Sequence, residues 1–355
     1  MKKGKVLVTG GAGFIGSHLV NLLLKKGYKV NIFVRKGKKI HWRYRDAPFK
    51  NCVEELKRKG VGVFYGDLLD KKSLIPALKD VDTIYHLGAV ASPYFGLPEK
   101  AYMDISIIGT KNLLELVTEK KIKLKRFVYV SSIEAAGPSI SGKKLIEGSQ
   151  TAPIHAYGRS KLATENLLEN YKSKVPIVVV RPPMQFGEGD PLLLKLIRYI
   201  KNPTGLFPMF GSGKALFEFC YVKNTVHGMY LAGTKKKAIG QTYFISDGSK
   251  RIIDTVKEIA IEYGAKVRII HLPLFFAYVL GLLMEILNYL LPFPPFRHPK
   301  TGVPLFTRTT VEWVADSKYF CSIEKAKKEL GYKPQFTLQR GLRNTIEWYK
   351  KEGYL

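Results

Sequence analysis

Residues 5–19 read KVLVTGGAGFIGSHL, an aliphatic run that breaks into three glycines before an amphipathic stretch. Gly10, Gly13 and Gly16 are spaced G-x-x-G-x-x-G. Glycines at a strand-to-helix turn let backbone N–H groups approach a pyrophosphate at the helix N-terminus, where the helix dipole favours negative charge. Because this triplet follows a strand and opens a helix, it predicts a dinucleotide site.

Apolar runs alternate with helix-period segments through the first half of the chain. Strands are predicted at Lys5–Thr9, Val30–Val34, Val61–Gly66, Thr83–His86, Phe127–Ser131 and Ile177–Arg181. Helices are predicted at Ile15–Lys26, Lys72–Leu78, Ile107–Lys120 and Tyr157–Lys172. This alternation predicts an α/β fold with a doubly wound parallel sheet, whose ligand crevice lies at the carboxyl ends of the strands. The long crossover Lys36–Lys59 is expected to be half helical.

The composition is that of a folded protein with reduced cysteines. A chain of 355 residues that is 46% hydrophobic can bury a sizeable core, in one large α/β domain or two. The cysteines Cys52, Cys220 and Cys321 are scattered and odd in number, which excludes a disulfide framework and a C-x-x-C metal site. We therefore expect a cytoplasmic protein without a metal. The chain starts on a strand, so we expect no signal peptide.

The formal net charge of +29 is extreme. Nucleic acid, an anionic membrane surface or a phosphate-rich ligand could each explain such a charge. The basic residues are spread along the chain without a nucleic-acid motif, so nucleic acid is not expected. A solvated, lysine-rich surface is the alternative interpretation, and lysine enrichment is also common in heat-stable proteins.

The end of the second predicted strand bears on the choice of cofactor. Val34 stands where NAD-binding folds carry an acid that hydrogen-bonds the adenosine ribose. Arg35 follows, with Lys36, Lys38 and Lys39 close behind. Since arginine and lysine suit a 2′-phosphate, the sequence favours NADP over NAD. The alternative interpretation is a solvated arginine at the end of a strand.

Residues 157–161 read YGRSK, a Y-x-x-x-K pattern at the start of a helix, which puts Tyr157 and Lys161 on one face. An adjacent ammonium lowers the pKa of a tyrosine, so the phenolate can take a hydroxyl proton while hydride passes to nicotinamide. Ser131 and Ser132 end an upstream strand, where a serine can hydrogen-bond a substrate oxygen. The alternative is that these serines merely cap the strand.

Several stretches resemble a known superfamily. The glycine turn resembles the TGGxGFIG sequence of extended short-chain dehydrogenases/reductases, the NAD-dependent epimerase/dehydratase family. Residues 127–138, FVYVSSIEAAGP, look very like the YTSSIEVAGP stretch of its 3β-hydroxysteroid dehydrogenase branch. Residues 181–189 and 221–227 are similar to the RPxxIYGEG and YVxNVA stretches of that branch. The resemblance implies a Rossmann-type cofactor domain over 1–181, its sheet shared with later segments, and a smaller mixed substrate lobe over 182–355.

The resemblance also assigns roles to residues. It implies that Ser132 rather than Ser131 binds the substrate oxygen, with Tyr157 as the acid/base and Lys161 beside it. It gives His86 a structural role, and it leaves Ser106 in a position where the family usually has asparagine. The cofactor-binding residues that it implies are Gly10, Gly13, Phe14, Ile15, Gly16, Arg35, Asp67, Leu68, Leu87, Gly88, Ala89, Tyr157, Lys161 and Pro183.

The resemblance implies an NADP-dependent oxidoreductase that acts on a secondary alcohol or ketone of an apolar, sterol- or terpenoid-like substrate. The first alternative is a nucleotide-sugar epimerase, dehydratase or reductase on the same fold. Such enzymes tend to carry an arginine for the substrate diphosphate near Leu216–Phe219, where this chain has none. The second alternative is a cofactor-binding sensor or scaffold without turnover, although both Tyr157 and Lys161 are present.

Residues 272–296, LPLFFAYVLGLLMEILNYLLPFPPF, form a long apolar run. It could cross a bilayer, lie in the interface, or form a buried core or dimer helix. Residues 320–334 resemble an element of the family that packs back on the substrate lobe, and Glu285 and Asn288 suit a lipid-facing span badly, so crossing is disfavoured.

We expect residues 272–296 to bind an anionic membrane surface, peripherally on the cytoplasmic face. Trp313, Tyr319 and the basic residues of Arg297–Lys300 suit such an interface. The resemblance also implies a homodimer through the predicted helices Ile107–Lys120 and Tyr157–Lys172.

Overall fold

The computed structural model describes residues 4–35, 52–90, 98–291, 308, 311 and 318–355. The strands of these ranges are β1 (Lys5–Thr9), β2 (Lys29–Arg35), β3 (Gly62–Gly66), β4 (Thr83–His86), β5 (Arg126–Val130), β6 (Ile177–Arg181), β7 (Met184–Phe186), β8 (Leu206–Phe210), β9 (Leu216–Tyr221), β10 (Thr242–Phe244), β11 (Gly248–Arg251), β12 (Arg268–Leu272) and β13 (Lys318–Tyr319).

The α-helices of the described ranges connect these strands. They are α1 (Phe14–Lys25), α2 (Cys52–Arg58), α3 (Lys71–Leu74), α4 (Glu99–Met103), α5 (Gly109–Glu119), α6 (Ala156–Glu169), α7 (Pro191–Ile200), α8 (Val222–Thr234), α9 (Ile252–Tyr263), α10 (Leu274–Leu290), α11 (Glu324–Leu330) and α12 (Leu338–Lys351). Several sequence predictions lie outside the described residues, namely those on Lys36, Lys38, Lys39, Arg297–Lys300, Trp313 and the side chain of Asn288.

The main sheet has seven strands in the order β10-β6-β5-β4-β1-β2-β3. Every neighbouring pair in it is parallel. The predicted α/β fold with a doubly wound parallel sheet is therefore confirmed. The strand order reverses beside β1, and in such sheets ligands bind outside the carboxyl ends of the strands at that point.

The main sheet is buried on both faces, because successive side chains of a strand point to opposite sides. In β1, Val6 and Val8 belong to one core cluster and Leu7 to the other. In β5, Val128 shares the first cluster and Phe127 the second. Helices cover both sides, so the rigid centre of the molecule holds the strand ends in fixed positions.

The second half of the chain adds two small sheets. Strand β9 pairs with β7, β11 and β13, while β12 pairs with β8. Strand β10 returns to the main sheet beside β6, so that sheet includes a strand from beyond residue 181. A boundary between two domains at residue 181 stays a prediction.

Helix α10 lies on the outside of the second half. Among its described side chains, those of more than a third exposure are all apolar: Phe275, Phe276, Leu280, Leu282, Leu283, Ile286 and Leu290. Ala277 and Gly281 lie on the buried side. Glu285 accepts hydrogen bonds from the backbone N–H and the guanidinium Nε of Arg308, each at 2.9 Å. Among the described residues, no helix has the length and apolar character needed to cross a membrane.

Candidate active site

The glycine turn lies between β1 and α1. Gly10 has φ +70°, a conformation that favours glycine, and Gly13 N–H donates to Gly10 O at 3.0 Å. A Cβ on Gly16 would lie 2.1 Å from Gly10 O, so the turn is too tight for any other residue there. Gly13 occupies the N-cap position of α1 without a side-chain cap. The first turn of α1 can therefore offer its backbone N–H groups to an anion.

A cleft of about 630 Å³ runs from this turn across the carboxyl ends of the main sheet. The structure brings every residue predicted for the cofactor and for catalysis onto this one cleft. They are Gly10, Gly13, Phe14, Ile15, Gly16, Arg35, Asp67, Leu68, Leu87, Gly88, Ala89, Ser132, Tyr157, Lys161 and Pro183. The glycine turn is shaped for a pyrophosphate, so these residues fit a dinucleotide; the role of each stays a prediction.

One end of the cleft is formed by the ends of β2 and β3. Arg35 is paired in register with Gly66, and Asp67 follows at once. The Asp67 carboxylate accepts from Leu69 N–H at 3.1 Å, and Asp67 N–H donates to Ser73 Oγ at 3.1 Å. These contacts fix the loop, while Arg35 remains exposed at the rim.

His86 lies at the end of β4 and is completely enclosed. Its Nδ1 lies 2.6 Å from Thr9 Oγ1, and its Nε2 lies 3.0 Å from Thr110 Oγ1. Burial lowers the pKa of His86 to about 3, and the Lys161 charge acts in the same direction. The neutral imidazole is hydrogen-bonded to Thr9 of β1 and to Thr110 of α5, so it connects β4 to both elements. These contacts agree with the structural role expected for His86.

The two serines after β5 have different surroundings. Ser131 Oγ donates to the buried carboxylate of Glu165. Ser132 Oγ accepts from Glu134 N–H at 3.2 Å and caps a short 3₁₀ turn, Ile133–Ala135. An accepted hydrogen bond leaves the Ser132 hydroxyl proton available to a ligand oxygen. The geometry therefore favours Ser132 over Ser131 for binding the substrate oxygen.

Tyr157 and Lys161 lie in the first turns of α6. Lys161 Nζ donates to Val130 O at 2.8 Å and lies 5.8 Å from the Tyr157 ring centroid. It also lies 5.0 Å from the centroid of Tyr129. Burial lowers the pKa of Lys161 to about 8, although Glu165 acts against this change. The Lys161 ammonium thus donates to a strand carbonyl and lies near the rings of both Tyr129 and Tyr157.

Other residues that line the cleft were not predicted from the sequence, namely Glu134, Met184, Gln185, Phe217, Glu218 and Tyr319. The expectation that Tyr319 suits a membrane interface was wrong, because this side chain is 4% exposed and faces the cleft. Burial raises the pKa of Tyr319, and the Glu134 carboxylate acts in the same direction. These residues are far apart in the sequence, so no local motif could show that they meet at one cleft.

Comparison with known proteins agrees with this architecture. Residues 6–246 match the NAD dependent epimerase/dehydratase family. The chain is 30% identical to the sterol-4-alpha-carboxylate 3-dehydrogenase (decarboxylating) of Candida albicans, covering 98% of each protein. It is 26% identical to a 3-beta-hydroxysteroid dehydrogenase of Mycolicibacterium neoaurum, covering 98% of this chain and 91% of that protein. A solved UDP-glucuronic acid 4-epimerase from Bacillus cereus, bound to UDP-glucuronic acid and NAD, has a TM-score of 0.72 at 24% identity, covering 98% and 99%.

The chain belongs to the NAD dependent epimerase/dehydratase family. It is an enzyme of the NAD(P)-dependent dehydrogenase/reductase type, similar to 3β-hydroxysteroid dehydrogenases. The predicted membership in the extended short-chain dehydrogenase/reductase superfamily is confirmed.

Proposed function

We propose that this protein is an NADP-dependent oxidoreductase that acts on a secondary alcohol or ketone of an apolar, sterol- or terpenoid-like substrate. The observation that carries the proposal is the cleft, which is lined both by the glycine turn and by Ser132, Tyr157 and Lys161. A dinucleotide on the turn and a substrate oxygen at the serine would thus share one cavity.

The side chains of the cleft divide the chemistry among them. When bound, the nicotinamide supplies or accepts the hydride. The Ser132 hydroxyl donates a hydrogen bond to the substrate oxygen, and Tyr157 gives or takes the proton of that oxygen. The Lys161 ammonium stabilises the Tyr157 phenolate and also binds the nicotinamide ribose.

The charges along the cleft weigh against a nucleotide-sugar substrate. Among the described residues that line it, the cations are Arg35 and Lys161, and neither belongs to the substrate lobe. Glu134 and Glu218 bring buried carboxyl groups to the substrate end. A nucleotide sugar would bring its diphosphate toward these acids, and no arginine of the substrate lobe is among the described lining residues to compensate, which is costly in a desolvated cleft. Met184 and Phe217 give the same end an apolar wall.

A substrate panel tests this function. Purified protein with NADP⁺ is offered 3β-hydroxysteroids and nucleotide sugars. Steroid oxidation is followed by NADPH absorbance, and sugar conversion by chromatography of the products, because epimerases and dehydratases return the hydride within each turnover and leave no net NADPH. We expect turnover of the steroids. Turnover of nucleotide sugars instead would transfer the assignment to the epimerase/dehydratase class. Tight coenzyme binding without turnover of either set would indicate a sensor or scaffold.

The preference for NADP rests on Arg35, which lies at the rim beside Gly66 and lines the cleft. A guanidinium there can pair with a 2′-phosphate. Dissociation constants for NADP⁺ and NAD⁺ test this directly: Arg35→Ala should weaken NADP⁺ selectively, whereas Arg58→Ala on the surface of α2 should change neither. Tighter binding of NAD⁺ to the unaltered protein would contradict the preference.

We also propose that α10 binds an anionic membrane surface. Phe275 and Phe276 are 71% and 62% exposed, and they continue into an apolar face that runs to Leu290. The carboxylate of Glu285 is paired with Arg308, away from that face. An exposed apolar helix on a chain of net charge +29 suits lipids with negative headgroups.

Flotation with vesicles tests the membrane proposal. Phosphatidylglycerol vesicles should carry the protein upward at low salt, and neutral phosphatidylcholine vesicles should carry less of it. Phe276→Glu should abolish flotation, while Ile261→Glu is the control because Ile261 is 72% exposed on α9. A protein that does not float, but sediments as a dimer that Phe276→Glu dissociates, would make α10 a dimer helix. The homodimer expected through α5 and α6 stays a separate prediction.

A further inference from the structure

A buried ion pair lies directly behind the catalytic end of the cleft. Arg181, the last residue of β6, donates from Nε and Nη2 to the carboxylate of Glu165 on α6, at 3.0 and 2.5 Å. The side chains are 6% and 9% exposed. Ser131 Oγ donates to the same carboxylate. The pair therefore ties two strands of the main sheet to the helix that carries Tyr157 and Lys161.

Stability alone does not explain this pair. Taking two charges out of water costs free energy that their attraction often fails to recover, so buried pairs are replaceable by apolar residues in many proteins. The pair is also imperfect, because Nη1 of Arg181 has no hydrogen-bond partner among the described residues. A buried, incompletely satisfied pair near a reactive centre suggests a functional reason for its position.

Helix geometry connects the pair to the reactive lysine. Glu165 follows Lys161 by four residues, which places both side chains on one face of α6. The end of β5 fixes both groups: Val130 O accepts from Lys161 Nζ at 2.8 Å, and the next residue, Ser131, binds Glu165. The Glu165 carboxylate therefore acts on the Lys161 ammonium through its charge, and the same carboxylate binds the Arg181 guanidinium.

We propose that Glu165 and Arg181 are positioning residues that balance the charge around Lys161, with the carboxylate favouring the ammonium and the guanidinium limiting its effect. This inference rests on the proposed function, since it concerns the same Lys161 and Tyr157. The pair would set the pH range over which the ammonium and the phenolate coexist.

Other ionisable groups face Lys161, and the test keeps them constant. They are Tyr129 on β5, His86 on β4, and Tyr157 on α6, whose ring packs against Tyr102 of α4. Because Tyr157 and Lys161 interact, their protons leave in steps that belong to the pair, and the midpoint of a pH profile is the proper observable.

A double-mutant cycle that neutralises Glu165 and Arg181 tests the proposal. Glu165→Gln leaves the Arg181 cation unbalanced, so the pH midpoint should fall by about one unit, the order expected for a unit charge several ångströms away. Arg181→Gln leaves the carboxylate unbalanced, so the midpoint should rise by a similar amount. The double variant should return the midpoint to within about 0.3 units of wild type. Glu169→Gln, one turn further along α6 and exposed, is the matched control.

Two readouts separate this inference from the proposed function. The first is the pH dependence of the NADP⁺ dissociation constant, measured by protein fluorescence, which needs no turnover. The second is the pH dependence of kcat/KM with a 3β-hydroxysteroid. Absence of binding of both NADP⁺ and NAD⁺ would refute the proposed function itself; if only NAD⁺ binds, the same variants are compared with NAD⁺. Normal binding, with the same midpoint in all variants, would overturn the charge-balancing role and leave the pair merely structural.

A charge-reversed pair covers the case in which the single variants do not fold. Glu165→Arg combined with Arg181→Glu keeps an ion pair, and it places a cation on α6 one turn from Lys161. The midpoint should then fall, as for Glu165→Gln. An unchanged midpoint in this variant would also overturn the proposal.

Discussion

The free energy of unfolding should depend on pH through Lys161 in a way that one substitution reveals. Lys161 is 3% exposed, and its ammonium is held against the Tyr129 ring and Val130 O. Burial lowers its pKa from 10.5 to about 8. Lys161→Met removes the titrating group and keeps most of the buried chain.

The sign and size of this pH dependence follow from the linkage between proton binding and folding. Between pH 8 and 10.5 the unfolded chain holds the Lys161 proton and the folded chain does not, so stability rises with pH in this window. Each pH unit is worth about 1.4 kcal/mol. From about pH 7 to about pH 9.5, wild type should therefore gain roughly 2 kcal/mol relative to Lys161→Met.

Urea unfolding of the coenzyme-free protein at these two pH values measures the difference. Subtracting the variant from wild type cancels the titration of groups that do not couple to Lys161, and repeating the pair in a Tyr157→Phe background removes the tyrosine that does. Lys174→Met is the control, because Lys174 is exposed just beyond α6. A wild-type-minus-variant difference that changes by less than about 0.5 kcal/mol across the range would refute the reasoning.

Four further substitutions test the cleft. Tyr157→Phe should leave the NADP⁺ dissociation constant within about threefold while turnover falls by roughly two to four orders of magnitude; retained turnover would remove the acid/base assignment. Ser132→Ala should lower kcat by about two to three orders of magnitude and Ser131→Ala by less than about tenfold, and the reverse order in initial-rate assays would exchange their roles. Gly16→Ala should abolish coenzyme binding in a fluorescence titration, because its Cβ would lie 2.1 Å from Gly10 O. Unchanged affinity in this variant would contradict the expected close approach of the pyrophosphate to the glycine turn.

The sequence predicted the first half of the fold well, because its strands are continuous apolar runs. Strands β1, β4 and β6 have the predicted bounds. The helix predicted at Lys72–Leu78 was partly wrong: the α-helix ends at Leu74, and a 3₁₀ turn, Ile75–Leu78, continues from it. Pro76 explains the change, since proline lacks the N–H that the α-helix requires and its ring crowds the preceding turn.

The candidate site was predictable where its residues form a local motif. The glycine turn and the Tyr157–Lys161 pair are such motifs, and they line the cleft as expected. Glu165 also follows a helical spacing from Lys161 and could have been noticed. Glu218 and Tyr319 could not, because they meet Glu134 only through strand pairing between distant segments.

The pairing of β13 with β9 has a consequence for synthesis on the ribosome. Tyr319, which closes part of the substrate end, is paired with Phe217 of β9. Two residues further on, Cys321 forms a β-bridge with Leu145, and its N–H donates to Glu218 at 3.0 Å. The seven-stranded sheet is complete by Phe244. Domains fold from the N-terminal side during translation. A nascent chain therefore contains every strand of the coenzyme end well before the segment that walls the substrate end emerges.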